Sequence, residues 1–450
     1  MVWQATLLSR AVAHKSFRLA WDAGLVRNFL AMAVWQASSY LIPFLTFPYL
    51  TRVLGPEGYG LIGLGLAIAM YGVLFSDWGF NLSASKQIAQ ARTEPDKLTL
   101  YFWNTIAAKA ILSLFTLVLL FAALLFSEKL GSIAPVLFAA WLTVIAAVFT
   151  ASWFLQGLER MGRFALAALI GKAITVPLTY AFVTSSKDVA TAVAIQGVGG
   201  IVCAVSSLYL VARLRLVGKP KISLGAILAQ LREGREVFLS TALISLYTNS
   251  TTVILGVIAG PAAVGLYVGS DKIRAAALGL VAPISNTVYP RLSWLLQESP
   301  ARGYAFARRL LVIQGAITFI VALGLCVGAR QIVEIAMGPS FLSAVPLIYC
   351  MAWIPFLAAI HNVWGAQLMI PLGMVREFRA TAMYAAVCNL VLIGPSTWWL
   401  GALGAAISLL VTVLFGTVAL GWALWRAGIP AFPGFQTDML ISRSSNSASR

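Results

Sequence analysis

The chain has 450 residues, 60% of them apolar and 10% charged, with a mean hydropathy of +0.88. A soluble domain averages about 25% charged and about 45–50% apolar residues, so a water-soluble globule is excluded: too little charge exists to coat it. The 32 Lys and Arg against 15 Asp and Glu give +17, which would suggest nucleic acid in a soluble protein but in a membrane protein first indicates basic residues held on one side.

Residues 1–27 carry Arg10, Lys15, Arg18 and Arg27 against one acid, Asp22. They read as a basic interfacial segment, with His14 a surface group. The apolar stretch behind them is long and runs into further spans, so it reads as a retained first helix and not a cleaved signal. At about 20 apolar residues per crossing, the stretches broken by charge, Gly or Pro give twelve candidate helices. They fall at about 28–54, 60–80, 99–126, 133–156, 163–183, 190–211, 237–259, 263–289, 309–328, 342–370, 378–394 and 402–425. All must be helical, because lipid offers no partner to an unpaired backbone group. The runs 28–54 and 342–370 are long enough to require tilt or a kink. The expected architecture is all-α: an N-lobe over 28–211, a basic linker at 212–236, a C-lobe over 237–426, and a polar, disordered tail at 427–450.

Of the 32 basic residues, 24 fall in the N-terminal segment, the C-terminal side and alternate loops. The linker alone holds six: Arg213, Arg215, Lys219, Lys221, Arg232 and Arg235. The opposite loops hold four (Arg52, Lys129, Lys187 and Arg330), and Lys109, Lys172, Lys272 and Arg274 lie inside spans. Such a split places both termini in the cytoplasm. Cys203, Cys326, Cys350 and Cys388 sit singly in apolar runs, with no CxxC pair. They read as small core residues, supporting neither a disulfide framework nor a metal site.

An internal repeat is visible. Gly55, Pro56, Gly60 and Leu61 match Gly260, Pro261, Gly265 and Leu266 at an offset of 205. Each set joins the first two helices of a six-helix group. A fainter echo relates Gln156 and Gly162 to Gln367 and Gly373 at an offset of 211. Six helices per half make the repeats parallel, with the substrate path between them.

Residues 42–92 include Pro48, Tyr49, Leu50, Thr51, Arg52, Leu54, Gly55, Pro56, Gly58, Gly60, Asp77, Gly79, Phe80, Asn81 and Ala89. This stretch resembles the opening of the polysaccharide-transporter flippases, the Wzx-type exporters of the multidrug/oligosaccharidyl-lipid/polysaccharide superfamily. Gly265, Tyr267, Lys272, Pro283, Tyr289 and Pro290 resemble that family's eighth helix. Tyr59, where members often carry a larger aromatic, and Trp78, where they often carry Leu, are mild departures. The resemblance implies a V-shaped, two-lobe exporter of the bacterial inner membrane. It implies alternating access that moves an isoprenoid-diphosphate-linked oligosaccharide to the periplasmic leaflet for O-antigen or exopolysaccharide assembly. A polymerase or chain-length regulator is the protein partner it suggests.

Ionisable groups inside spans are costly and usually face a cavity or the bundle interior. An anionic cargo needs counter-charge to cross a low-dielectric slab, and Arg and Lys supply it. Lys172, Lys272, Arg274 and Lys109 are therefore the candidate cargo contacts, with Gln156 and Gln367 as candidate partners of sugar hydroxyls. Asp77 and Asp271 are the candidate ion-coupling acids. Blander readings stand beside these. Asp271 and Arg274, three apart on one helix face, can neutralise each other. Asp77 can cap or pair with Lys86, and Lys109 can pair across the bundle. The glutamines can serve helix packing. His361 and Asn362 read as packing residues more readily than as a proton relay.

Trp398, Trp399 and Trp425 fall near helix ends, where aromatic belts form. No phosphate-loop pattern occurs and the cytoplasmic loops are too short for an ATPase domain, so no nucleotide, cofactor or metal is expected, and transport must draw on an ion gradient, a cargo gradient or downstream coupling. A multidrug or lipid II exporter is the near alternative, although lipid II flippases usually carry two further C-terminal helices. A polymerase or ligase is the alternative of a different class, and it lacks support: the opposite-side acids Glu57, Glu128, Asp188 and Glu334 are isolated, leaving no carboxylate pair for acid–base work.

Overall fold

A computed structural model describes residues 23–279 and 282–430. The expected residues of the basic N-terminal segment up to 22, and of the tail from 431, lie outside the described residues. Helices account for nearly all of the rest, and no strand occurs among the described residues. In chain order they are α1 Ala23–Asp77, α2 Phe80–Gln90, α3 Pro95–Phe126, α4 Glu128–Gly131, α5 Ala134–Phe149, α6 Ser152–Gly157, α7 Met161–Phe182, α8 Val189–Arg213 and α9 Leu224–Gly279. Then follow α10 Ala282–Glu298, α11 Pro300–Val327, α12 Ala329–Ala336, a 3₁₀ turn at Pro339–Ala344, α13 Val345–Met351, α14 Ile354–Asn362, a π-helical segment at Val363–Met369 and α15 Val375–Arg426.

Nine segments among the described residues are long and apolar enough to cross a membrane. Two of them, Ile42–Gln90 and Val375–Arg426, run 49 and 52 residues, well beyond the length of one crossing. Three of the long helices break once: α1 at Gly55, α9 at Gly260 and α15 at Gly401. Each break falls between two of the spans expected from hydropathy. Gly55 (φ 66°, ψ −178°) and Gly260 (φ 82°, ψ 175°) share one conformation that is essentially restricted to glycine. The Gly-Pro repeat seen in the sequence is thus also a repeat of backbone geometry.

Polarity runs inside out, as a lipid solvent requires. On α3 the exposed residues include Ile111, Leu114, Phe115 and Val118, whereas Thr105, Lys109, Ser113 and Thr116 are buried. The buried set recurs every three or four residues and forms one stripe. Thr116 returns its hydroxyl to the carbonyls of Leu112 and Ser113, so burial costs it no hydrogen bond.

The chain divides into two compact units. Unit 1 contains 68–184 and 190–243 together with the residues up to Thr46; unit 2 contains 47–67, 185–189 and the chain from Ile244. The core of unit 1 gathers Phe80, Phe102, Trp153 and Phe154, with Phe102 edge-on to Phe154 at 5.1 Å. In unit 2, Leu292, Leu368, Met369, Leu420 and Leu424 join α10, the π-helical segment and α15. All four cysteines are unpaired thiols.

Candidate functional site

In unit 1 two of the intramembrane charges, Asp77 and Lys109, meet at the end of α1. Trp78 (φ 44°) and Gly79 (φ 77°) are consecutive left-handed residues, which stop α1 at Asp77 and start α2. A non-glycine residue there is strained. Trp78 is held by stacking on Phe238, centroids 4.1 Å apart, and by donating its indole N–H to the Leu231 carbonyl at 2.8 Å. Asp77 is thereby fixed facing α3, where Lys109 Nζ lies 3.2 Å from its Oδ1. The Lys109 side chain is only 3% exposed. Asn81 donates to the other Asp77 oxygen at 2.8 Å, and Ser152 donates to Asn81 at 3.4 Å. The chain Ser152–Asn81–Asp77–Lys109 thus unites two predicted site residues with two that the sequence reading did not select.

Pairing of Asp77 with Lys86 is corrected. Lys86 lies on the exposed face of α2 with Leu82 and Ala89, while Phe80, Ala84 and Ile88 face inward. The nearer residue in sequence thus points away, and Lys109 is the partner. Lys172 is partly buried on α7, beside Cys203 of α8. Gln156 ends up exposed.

In unit 2, Asp271, Lys272 and Arg274 occupy one turn of α9. Arg274 Nε donates to Asp271 Oδ1 at 2.7 Å, so the neutralising pair foreseen at this spacing is formed. Buried Tyr59 and Tyr267 lie close enough to feel the Asp271 charge. Lys272 is partly buried and has no ion pair or hydrogen bond among the described residues, only the field of Asp271. Of the three, it is the cation left over.

Gln367 lies in the π-helical segment, 1% exposed. Its amide donates to Asn362 Oδ1, five residues back, at 3.0 Å. That pairing suits the wider π turn, which brings residues five apart onto one face. Its own Oε1, and that of Gln314 on α11, are buried without a hydrogen-bond partner among the described residues. His361 packs beside Phe378, centroids 6.3 Å apart. A second polar group was missed by the sequence reading: Asn389 donates to Thr412 at 3.2 Å and to Ser408 at 3.4 Å. Its signal was present, since Asn389, Ser408 and Thr412 are isolated polar residues in apolar runs. No group of three potential metal ligands occurs among the described residues.

These features define a polytopic, all-helical membrane protein with charged and polar groups buried between its helices. A family model described as polysaccharide biosynthesis protein matches residues 25–296, and the chain belongs to that family. It is 35% identical to an Escherichia coli (strain K12) protein described as "Putative O-antigen transporter", over 86% of this chain and 93% of that one. A Shigella dysenteriae protein of the same description is 29% identical over 86% of this chain and 96% of its own length. Among solved structures, an inward-facing multidrug resistance transporter of the MATE family, in the MOP superfamily, is similar with a TM-score of 0.68. It is 14% identical and covers 86% of this chain and 94% of its own. The lipid II flippase MurJ, in an inward closed conformation, is similar with a TM-score of 0.67, at 12% identity over 89% and 87%. At that identity the likeness concerns the fold.

Proposed function

We infer that this protein is a flippase that carries oligosaccharide units across the membrane for O-antigen or exopolysaccharide assembly, a transporter and not an enzyme. The observation that carries this reading is the 35% identity, over most of both chains, with a protein described as an O-antigen transporter. The fold shared with exporters is consistent with it.

The finer reading proposes an isoprenoid-diphosphate-linked oligosaccharide as cargo, moved by alternating access through twelve helices in two sets of six. The membrane is the bacterial inner membrane, with the domain bounds expected from the sequence and both termini in the cytoplasm. Lys272, which has no ion pair among the described residues, is the first candidate to meet the anionic diphosphate. Arg274 and Lys109 reach cargo only by exchanging Asp271 and Asp77 for it, so the two acids serve as internal counter-ions that ion coupling can release. Lys172, Gln156 and Gln367 are proposed as further contacts. A polymerase or chain-length regulator is the proposed consumer of the delivered unit.

Two experiments test the reading. A strain lacking the protein is expected to accumulate lipid-linked repeat units in the cytoplasmic leaflet. Accumulation of unpolymerised units in the outer leaflet would indicate a polymerase. Reporter fusions at Lys129 and Lys187 are expected to register periplasm, and those near Lys219 cytoplasm; reversed signals would overturn the orientation.

A further inference from the structure

The basic linker is not a free loop. After α8 ends at Arg213 the chain runs back along the start of α3, fastened residue by residue. Gly218 N donates to Thr99 Oγ1 at 2.8 Å, and Trp103 Nε1 donates to the Gly218 carbonyl at 3.0 Å. Asn104 clasps the next stretch from both sides, donating to the Lys221 carbonyl at 2.9 Å and accepting from Ser223 N at 3.0 Å. Lys221 Nζ lies 3.1 Å from Asp96. The strap then enters α9, whose first turns turn Ile227, Gln230, Gly234 and Phe238 inward.

The depth of this strap follows from α3. Its 32 residues span about 48 Å at 1.5 Å per residue, against a hydrocarbon core of about 30 Å. The surplus is about 12 residues. It belongs at the N-terminal end, since Asp96, Lys97, Thr99 and Asn104 are polar while 117–126 is wholly apolar. The strap grips residues 96–104, so it lies at headgroup depth.

Its outer face fits that place. Ile222, Leu224 and Leu228 are 56%, 70% and 57% exposed, although neighbouring groups on the same segment are packed away. On the same segment Arg213, Arg215, Lys219, Arg232 and Arg235 are all exposed, with Arg213 over the Tyr209 ring; Arg232 and Arg235 follow Leu224 and Leu228 at helical spacing along α9. Between 213 and 235 the one acid is Glu233. Lys221 is already matched by Asp96, which leaves five exposed basic groups on the segment that carries the apolar ridge.

We propose that residues 213–235 form an interfacial surface that binds anionic phospholipid headgroups. The ridge Ile222, Leu224 and Leu228 enters the acyl boundary while the five cations hold phosphates. The fastening to α3 matters, because the backbone is already held and binding costs mainly the freedom of the side chains themselves.

The test uses the full-length protein in detergent, titrated with phosphatidylglycerol or phosphatidylcholine and followed by native mass spectrometry and thermal unfolding. Wild type is expected to retain phosphatidylglycerol preferentially, to unfold at higher temperature with it, and to lose the preference as salt rises. Replacing Arg213, Arg215, Lys219, Arg232 and Arg235 by Gln is expected to weaken binding about fivefold per residue removed. Replacing the four arginines by Lys should preserve it. A control with the exposed Arg291, Arg302, Arg309, Arg376 and Arg379 changed to Gln removes equal charge elsewhere and is expected to keep the preference. Equal loss in both Gln variants would assign the effect to net charge and overturn the proposal. So would retained phosphatidylglycerol in the strap variant.

Discussion

Gly60 takes the carbonyl of Pro261 directly against its Cα: a Cβ built there would lie 1.7 Å from that oxygen. The relation is reciprocal, since a Cβ on Gly265 would lie 1.9 Å from the carbonyl oxygen of Pro56. The two copies of the repeated motif therefore pack on each other through the same two positions. No rotamer change relieves a clash with backbone, so Gly60→Ala or Gly265→Ala must separate the helices. Each is expected to cost about 3 kcal/mol, the upper end of ordinary overpacking. Gly324 of α11 has open space around it, and Gly324→Ala should leave stability unchanged or slightly raised. Thermal unfolding in detergent checks this; wild-type midpoints for both contact variants would refute it.

The Lys109–Asp77 pair predicts asymmetric mutational costs. Lys109→Ala strands a carboxylate that keeps Asn81 as its hydrogen-bond donor among the described residues, and is expected to destabilise by about 3 kcal/mol. Lys109→Met combined with Asp77→Asn removes both charges and should recover much of the loss. If the double variant were no more stable than Lys109→Ala alone, the pair would not be the source of the effect.

Lys272 and Arg274 should separate by readout. Lys272→Gln leaves no broken ion pair, so the protein is expected to keep its thermal midpoint and lose glycan export. Arg274→Gln orphans Asp271 and should lower both. Replacing both residues with Ala is expected to abolish export while the protein remains in the membrane. Normal surface polysaccharide in that double variant would sink the proposed cationic path.

A pH dependence follows from the loop after α6. Arg92 donates to the Gly157 carbonyl at 2.9 Å and to Glu159 at 2.7 Å. The hydrogen bond and charge of Arg92 hold the Glu159 carboxyl below its ordinary range. A depressed carboxylate stabilises the fold above its unfolded pKa and loses that contribution as pH falls through the folded one. The contact is exposed, so the effect is small. Glu159→Gln is expected to flatten the acid side of the stability profile. An unchanged acid limb would show that the contact contributes nothing.

Much of the fold was legible in the sequence because lipid allows one local answer to an apolar run. Each expected boundary between paired spans at 54–60, 259–263 and 394–402 contains the glycine at which the long helix breaks. The site was legible in part. Asp271 and Arg274 stand three apart on one helix, and helical geometry alone pairs them. Asp77 and Lys109 are brought together by the left-handed turn at Trp78 and Gly79 and by how α3 returns, which sequence spacing does not encode. Proximity along the chain pointed to Lys86 instead. The clasp of the linker by Thr99, Trp103 and Asn104 was invisible for the same reason, since those residues read as ordinary members of a span.

The central claim is tested most directly with the purified protein in vesicles carrying a fluorescent isoprenoid-diphosphate oligosaccharide in one leaflet. The measurement is how much label becomes accessible to a membrane-impermeant quencher on the other side. Flipping is expected in wild-type vesicles, with loss in the Lys272→Gln variant and in protein-free controls. Label that stays in its original leaflet with folded wild-type protein present, under an imposed ion gradient or without one, would contradict the account.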